Sequence, residues 1–286
     1  MRDYREHRYQ SACGQLSLFA RDYGGQGKPL LLMHGLTRNS GDFGPLAEHL
    51  APEYRLIVPD QRGRGLSDYD PDPSNYRPDI YAQDMFALLG SLDIASPGVI
   101  GTSMGGLIAM TMNAMQPGAF PAIVFNDVGP ELSLPGLERI AGYVGNDTTF
   151  ADWDEAAAAC AKTNGDAFPD FTGDDWQKWA RRTCRELPDG RIAFAYDTAI
   201  ASSFSNLGDT PQPDLWPLWQ MLDETPVLVI RGALSDLLTR ETLALMEERH
   251  GGPFSSAEIP SRGHAPLLDE PEAVSAITAF LGEHLP

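Results

Sequence analysis

The amino-acid sequence predicts an α/β fold in which a mainly parallel twisted sheet is flanked by helices. Short continuous apolar runs, such as residues 30–33, alternate with helix-like segments, and such runs are typical of strands that are buried on both faces. The alternation breaks between residues 130 and 222, where no β run is convincing and where all five tryptophans lie. We therefore expect a core formed by residues 1–129 and 223–286, with a helical cap, or lid, of residues 130–222 inserted between two core strands.

Each element is predicted from its residues. The residues before the first strand, which include His7, are expected to be irregular. Strands are predicted at the apolar runs 30–33, 56–58, 99–100, 123–125 and 227–230, and at the strand-like segments 16–23 and 255–259. Core helices are predicted at 42–50, 80–92, 104–115, 240–250 and 271–285, and cap helices at 152–162 and 173–185. In parallel sheets of this kind, ligands bind beyond the carboxyl ends of the strands.

Composition excludes several classes of function. The chain has 286 residues, with 40 acidic and 21 basic residues and a net charge of −19, so nucleic acid and anionic membrane surfaces are poor partners. The apolar runs are too short to span a bilayer, and the N-terminus does not resemble a signal peptide. The three cysteines are far apart and odd in number, so we expect buried, inert thiols and a cytoplasmic protein. The oligomeric state is not predicted.

Residues 101–105, Gly-Thr-Ser-Met-Gly, are the most informative stretch because of what surrounds them. An apolar run precedes the stretch and a helix-like segment follows it, which is the context of a sharp turn carrying a nucleophile. Gly101 and Gly105 are the small residues that let strand and helix approach closely. This arrangement predicts that the hydroxyl of Ser103 is exposed above a helix N-terminus, where negative charge is favoured.

A serine nucleophile needs a base and an acid that orients the base. His264 lies in a loop between the last strand-like run and the final helix, at the ligand-binding edge of the sheet, and is the predicted base. His34, directly after a strand, is its one serious competitor. Asp60, Asp127 and Asp236 each follow an apolar run, so position after a strand admits all three as the acid.

Two backbone N–H groups must stabilise the negative oxygen of the transition state. The amide of Met104, directly after the nucleophile, is the first predicted donor. The second is the amide of Leu36, in the loop His34–Thr37 that follows an early strand. In this interpretation His34 and Gly35 shape that loop.

Together these motifs resemble the α/β-hydrolase superfamily, in its lidded, carboxylesterase-like branch of serine hydrolases. The matching pieces run from about residue 30 to residue 265: His34–Gly35, Pro59–Ser67, residues 101–106, Asp236 and Gly263–His264. In similar proteins the segment Pro59–Ser67 shapes a loop and does no chemistry. The chain order nucleophile, acid, histidine in these enzymes favours Asp236 as the acid.

The resemblance implies a hydrolase that cleaves a carboxylic ester or lactone of a small apolar substrate through an acyl-enzyme on Ser103. Similar dehalogenases and epoxide hydrolases have an aspartate as nucleophile, so Ser103 argues against both. Hydrolysis of a C–C bond in a vinylogous diketone is an alternative, which Ala265 disfavours because related enzymes often carry tryptophan there. Acyl transfer also remains open, and a non-enzymatic ligand receptor is the alternative that an intact triad disfavours most.

The expected partner is a small-molecule substrate, and no cofactor or metal is expected. Gly25–Lys28 lacks the remaining residues of a phosphate-binding loop, and no clustered Cys/His pattern suggests a metal site. Arg38 is open to two interpretations, as a residue that binds an acidic group of the substrate or as a solvated surface residue.

Overall fold

An eight-stranded sheet forms the centre of the computed structural model, which describes residues 2–204 and 212–286. The strands in chain order are β1 (Arg5–Gln10), β2 (Ser17–Asp22), β3 (Pro29–Met33), β4 (Arg55–Asp60), β5 (Gly98–Thr102), β6 (Ile123–Asn126), β7 (Thr149–Phe150), β8 (Cys184–Glu186), β9 (Ile192–Phe194), β10 (Val227–Gly232) and β11 (Phe254–Ile259). The sheet order is β1-β2-β4-β3-β5-β6-β10-β11. Only the pairs of β2 with β1 and with β4 are antiparallel in this sheet, so the predicted fold class is confirmed.

Nine α-helices are found among the described residues. They are α1 (Gly44–Leu50), α2 (Pro78–Ser91), α3 (Met104–Met115), α4 (Leu134–Ala141), α5 (Trp153–Asn164), α6 (Gly173–Thr183), α7 (Trp216–Gln220), α8 (Arg240–Glu248) and α9 (Pro271–His284). None of the helices in the described part of the chain is long and apolar enough to cross a membrane.

The apolar runs of the core strands divide between the two faces of the sheet. In β3, Leu31 and Met33 pack with α2 and α3, whereas Leu30 and Leu32 pack on the opposite face with α1 and α9. Successive side chains of a strand point to opposite faces, so both faces must be apolar when helices cover both. This is why the core strands are continuous apolar runs in the sequence.

The insertion between β6 and β10 carries α4 to α7. It also contains a three-stranded antiparallel sheet in the order β7-β9-β8, which the prediction of a helical cap did not include. These strands are two or three residues long, too short for their alternation to stand out in the sequence. Residues 205–211 of the predicted cap lie outside the described residues.

Two further expectations need correction. The N-terminal residues are not irregular, because β1 pairs with β2 at the sheet edge and His7 faces Ala20 across that pair. The cysteines are not all buried: Cys13 is exposed, while Cys160 and Cys184 are buried in the insertion.

Arg62 is buried in the core and is paired with two buried carboxylates. Its Nε and Nη2 donate to the two oxygens of Asp84 at 2.7 Å each, and its Nη1 donates to Asp70 at 2.6 Å. A bidentate pair of this kind is geometrically demanding, and neither charge can reach water when its partner is removed.

We expect Asp84→Ala to lower the free energy of unfolding by about 3–5 kcal/mol, because it leaves the Nε and Nη2 donors of the buried guanidinium without acceptors. Urea unfolding at neutral pH measures this. The control is Asp79→Ala, which removes the partner of the exposed Arg77 and should cost at most about 1 kcal/mol. Equal losses in the two variants would contradict the buried-pair argument.

Candidate active site

Ser103 lies on a strained turn between β5 and α3. Its backbone has φ 51° and ψ −116°, a conformation that residues with a side chain rarely adopt. The helix begins at the next residue, Met104, so the first N–H groups of α3 lack intrahelical acceptors beside the serine. The turn therefore places a hydroxyl above a helix N-terminus.

The glycines around Ser103 are required by close backbone contacts. A Cβ atom at Gly101 would lie 2.5 Å from the carbonyl oxygen of Gly105, and one at Gly105 would overlap the carbonyl oxygen of Met33. Neither contact can be relieved by a side-chain movement, because the opposing atoms belong to the backbone. The structure thus places both glycines where the sequence predicted them to be needed.

His264 lies within hydrogen-bond distance of the Ser103 hydroxyl. Its Nε2 is 2.8 Å from Ser103 Oγ, and its side chain is largely buried. The histidine comes from the loop between β11 and α9, and Asn126 holds this loop by donating to the Pro266 carbonyl at 2.8 Å. The structure brings these two sequence-predicted residues together.

The partner of His264 on its other ring nitrogen is Asp127. Asp127 Oδ2 lies 2.8 Å from His264 Nδ1, and the carboxylate is fully buried. The residue directly follows β6 and has a φ of 57°. A carboxylate here can only accept, so it holds the proton on Nδ1 and leaves Nε2 free to accept the serine proton.

The preference for Asp236 as the acid was wrong. Its carboxylate makes a bidentate pair with Arg139 of α4, with Arg139 Nη2 at 2.9 Å from Asp236 Oδ1. Burial alone would raise the pKa of Asp236, but the hydrogen bonds and the charge of Arg139 outweigh burial and lower it. Asp60 is likewise engaged elsewhere, because its two oxygens accept from the backbone N–H groups of Ser40 and Leu66.

The loop after β3 approaches Ser103 closely. A Cβ atom at Gly35 would be 3.7 Å from the Cβ of Ser103. His34 is fully buried beneath this loop, where its Nδ1 is 2.7 Å from the Gly35 carbonyl and its Nε2 accepts from the Gln61 N–H at 3.0 Å. His34 is therefore fixed by backbone contacts, as expected of a residue that shapes the loop.

Arg64 supports the same loop, which sequence reasoning did not anticipate. The buried guanidinium donates from Nε to the Leu36 carbonyl at 2.9 Å and from Nη1 to the Tyr81 hydroxyl at 2.7 Å. Its Nη2 lies 3.5 Å from the sulfur of Met104. One cation thus contacts both residues whose amides are predicted to stabilise an oxyanion. Its position in the segment Pro59–Ser67, which was expected to shape a loop, was the signal in the sequence.

A cavity of about 330 Å³ opens onto Ser103 and His264. Both predicted oxyanion residues, Leu36 and Met104, line it. Apolar side chains from the core and the insertion make up much of its wall, namely Leu107, Val128, Leu132, Leu137, Ile140 and Leu237. The size and apolar character suit a small organic molecule.

Arg38 is a partly buried part of the cavity wall. Its Nε and Nη2 donate to Asp42 at 2.6 Å each, and its guanidinium stacks on Trp179 of α6 at 3.9 Å from the ring centroid. The interpretation as a solvated surface residue was therefore wrong. Because Asp42 neutralises its charge, Arg38 presents an already paired cation to the cavity.

Comparison with known proteins identifies the family of this chain. The profile of the Alpha/beta hydrolase family matches residues 30–277. The chain belongs to this family. The predictions of the superfamily and of a hydrolase are thereby confirmed.

Three relatives cover nearly the whole chain. A 3-hydroxybutyrate-oligomer hydrolase from Cupriavidus necator is 34% identical in an alignment 281 positions long, which covers 94% of this chain and 94% of that one. The crystal structure of an alpha/beta hydrolase from Novosphingobium aromaticivorans is 44% identical, with a TM-score of 0.92 and 99% coverage of both chains. The structure of E-2-(acetamidomethylene)succinate hydrolase is 26% identical, with a TM-score of 0.83, covering 98% of this chain and 100% of that one.

The buried His34 should make folding sensitive to acid. Burial lowers the pKa of His34 from 6.5 to about 4. Between pH 6.5 and pH 4, His34 binds a proton in the unfolded chain but not in the folded chain. The contribution of His34 to the free energy of unfolding is therefore complete above pH 6.5 and decreases as the pH falls towards 4. The slope from this residue is on the order of 1 kcal/mol per pH unit.

We therefore expect His34→Asn to flatten the decline in unfolding free energy between pH 7 and pH 5, measured by urea titration. The matched control is His49→Asn, at an exposed position, which should leave the wild-type slope in place. If the decline is as steep in His34→Asn as in the wild type, His34 does not carry the acid sensitivity.

Proposed function

We propose that this chain is a serine hydrolase that cleaves a carboxylic ester or lactone of a small, largely apolar molecule. The observation that carries the proposal is the hydrogen-bonded series Ser103, His264 and Asp127, with both nitrogen–oxygen distances at 2.8 Å, beside the cavity. A nucleophile, a base and an orienting acid in this geometry support acyl transfer.

In the proposed reaction, His264 Nε2 takes the proton of Ser103 as the hydroxyl oxygen attacks the carbonyl carbon. Asp127 keeps the imidazole in the required tautomer and stabilises the imidazolium that forms. The imidazolium then protonates the leaving alcohol, so the ester bond breaks and an acyl group remains on Ser103. His264 next activates a water molecule, which releases the acid and restores the serine.

The tetrahedral intermediate carries a negative oxygen that needs donors. We assign them as the amides of Leu36 and Met104, since both residues line the cavity and Arg64 contacts the carbonyl of the first and the sulfur of the second. Donors that are held in place before the reaction cost no reorganisation, and each is worth about 3 kcal/mol.

The relatives narrow the substrates that should be tried first. The similar 3-hydroxybutyrate-oligomer hydrolase points to short esters of hydroxy acids, whose small apolar units suit a cavity of about 330 Å³ with a largely apolar wall. The similar E-2-(acetamidomethylene)succinate hydrolase favours a second candidate, the hydrolysis of a small unsaturated acid at a bond other than an ester. Both classes use the same nucleophile and base, so the assay must compare them.

We expect the wild type to hydrolyse p-nitrophenyl esters and 3-hydroxybutyrate dimers, and Ser103→Ala to lose turnover by on the order of 10⁶-fold. A series of acyl chains from acetate to decanoate measures the length that the cavity accepts. Circular dichroism shows whether the variant folds. Wild-type turnover in Ser103→Ala would refute the mechanism, whereas labelling of Ser103 by a fluorophosphonate without ester turnover would favour the second candidate.

The assignment of the acid is tested by two aspartate variants. Asp127→Asn should lower kcat by about 10³- to 10⁴-fold, because an amide can hold the imidazole in the wrong tautomer. Asp236→Asn weakens the pair with Arg139 and removes a negative charge that acts on His264 without a hydrogen bond to it, so we expect a loss of less than about tenfold. A larger loss in Asp236→Asn than in Asp127→Asn would reverse the assignment.

A further inference from the structure

Ser235, in the loop after β10, is hydrogen-bonded to the acid of the proposed triad. Its Oγ donates to Asp127 Oδ2 at 2.6 Å. The same Oγ accepts the backbone N–H groups of Leu237 at 3.2 Å and of Leu238 at 3.1 Å. A hydroxyl has one proton and two acceptor positions. Because two amides fill the acceptor positions, the proton of Ser235 is committed to Asp127.

Asp127 depends on this donor because its carboxylate is fully buried. Oδ1 accepts the Gly232 N–H at 2.8 Å, and Oδ2 is shared between Ser235 and His264 Nδ1. A buried carboxylate without enough donors is costly and free to rotate. The contacts from Gly232, at the end of β10, and from Ser235, in the loop after it, therefore fix the plane of the carboxylate that faces His264.

We propose that Ser235 is a positioning residue for the reaction. Its hydrogen bond fixes the orientation of the Asp127 carboxylate and reduces the negative charge on Oδ2. Through Asp127 it sets the orientation and basicity of His264. This inference rests on the proposed function. Ser235 transfers no proton to the substrate. Its proton stays on the hydroxyl throughout the reaction. The hydrogen bond lowers the electron density on Asp127 Oδ2, the oxygen that accepts from His264 Nδ1.

The loop that carries Ser235 is itself held by the insertion. The Ser133 N–H donates to the Leu237 carbonyl at 2.9 Å, and Arg139 pairs with Asp236. A Cβ atom at Gly136 would lie 2.7 Å from the Asp236 carbonyl oxygen, so α4 packs directly on this loop. Contacts with the core on one side and with the insertion on the other therefore fix the position of the Ser235 hydroxyl.

Several charged groups surround this arrangement and stay unchanged when the hydroxyl alone is removed. Arg231 of β10 donates to the Ser235 carbonyl at 3.3 Å and pairs with Glu258 of β11. The remaining groups are the pair Arg139–Asp236 from the insertion and the loop, and Arg262 with Asp170 and Glu270 beside the histidine loop. A pH effect of losing the hydroxyl is therefore assignable to Asp127 and His264.

The test compares Ser235→Ala with the wild type on the best p-nitrophenyl ester. A hydrogen bond to a charged group is lost, so we expect kcat to fall about 10- to 100-fold with KM within about twofold. With one donor fewer, Oδ2 carries more negative charge and favours the imidazolium. The acid limb of the kcat/KM profile should therefore move to higher pH by about half a unit to one unit.

Two further variants separate positioning from folding. Ser235→Thr keeps a hydroxyl and should recover most of kcat and return the acid limb towards the wild-type pH. Ser256→Ala, at an exposed position on β11, is the matched serine deletion and should leave the rate and the profile unchanged. A shift of the acid limb that Thr reverses is not expected from a general loss of packing.

Proton NMR gives a reading that does not need a substrate. The downfield signal of the His264 Nδ1 proton should move further downfield in Ser235→Ala, because Asp127 Oδ2 becomes a stronger acceptor. A kcat within twofold of the wild type, together with an unmoved acid limb and an unmoved proton signal, would overturn the proposal. If the wild type hydrolyses none of the esters, the proposed function fails on its own, and the proton signal still decides the role of Ser235.

Discussion

The burial of the Asp127 carboxylate is the constraint on which the rest of the site depends. A fully buried negative charge needs several donors, and here they come from the ends of two strands. Gly232 is the last residue of β10, Ser235 lies in the loop after it, and His264 lies in the loop after β11, while Asp127 itself directly follows β6. Because parallel strands end at the same edge of the sheet, these loops can converge on one side chain. The histidine is therefore aligned with Ser103 by the same contacts that compensate the charge.

Part of this arrangement could be predicted from the sequence because it is local. The apolar runs indicate strands that are buried on both faces. Gly101 and Gly105 indicate the close approach of β5, α3 and β3 around Ser103. His264 could be found since its position relative to the last strand and the last helix is visible along the chain. In contrast, β1 carries mostly exposed, polar residues at the sheet edge, and β7 to β9 are too short to leave a periodic signal.

The acid could not be decided from the sequence, because the deciding contacts are not local. Asp127 and Asp236 both follow core strands, and both lie between the serine and the histidine in chain order, so that order does not separate them. Asp236 pairs with Arg139, which lies 97 residues away in the insertion. Asp127 accepts a hydrogen bond from Ser235, which lies 108 residues away. Position along the chain gives no information on which carboxylate such a distant arginine will take.

The cavity wall combines residues with separate structural origins. Arg38 belongs to the core and is oriented there by Asp42, but its guanidinium stacks on Trp179 of the insertion. Trp179 in turn packs against the aromatic rings of Phe168 and Trp176. The chemistry at Ser103 and the shape of the space above it are thus encoded in different stretches of the gene. Substitutions at Trp179 and its aromatic neighbours can reshape the space above Ser103 without touching the strand-end loops. Substitutions in α4 also reach the loop that carries Ser235, because Gly136 packs against the Asp236 carbonyl. The insertion therefore divides into a part whose sequence can change with the shape of the cavity and a part that is tied to the residues of the proposed triad.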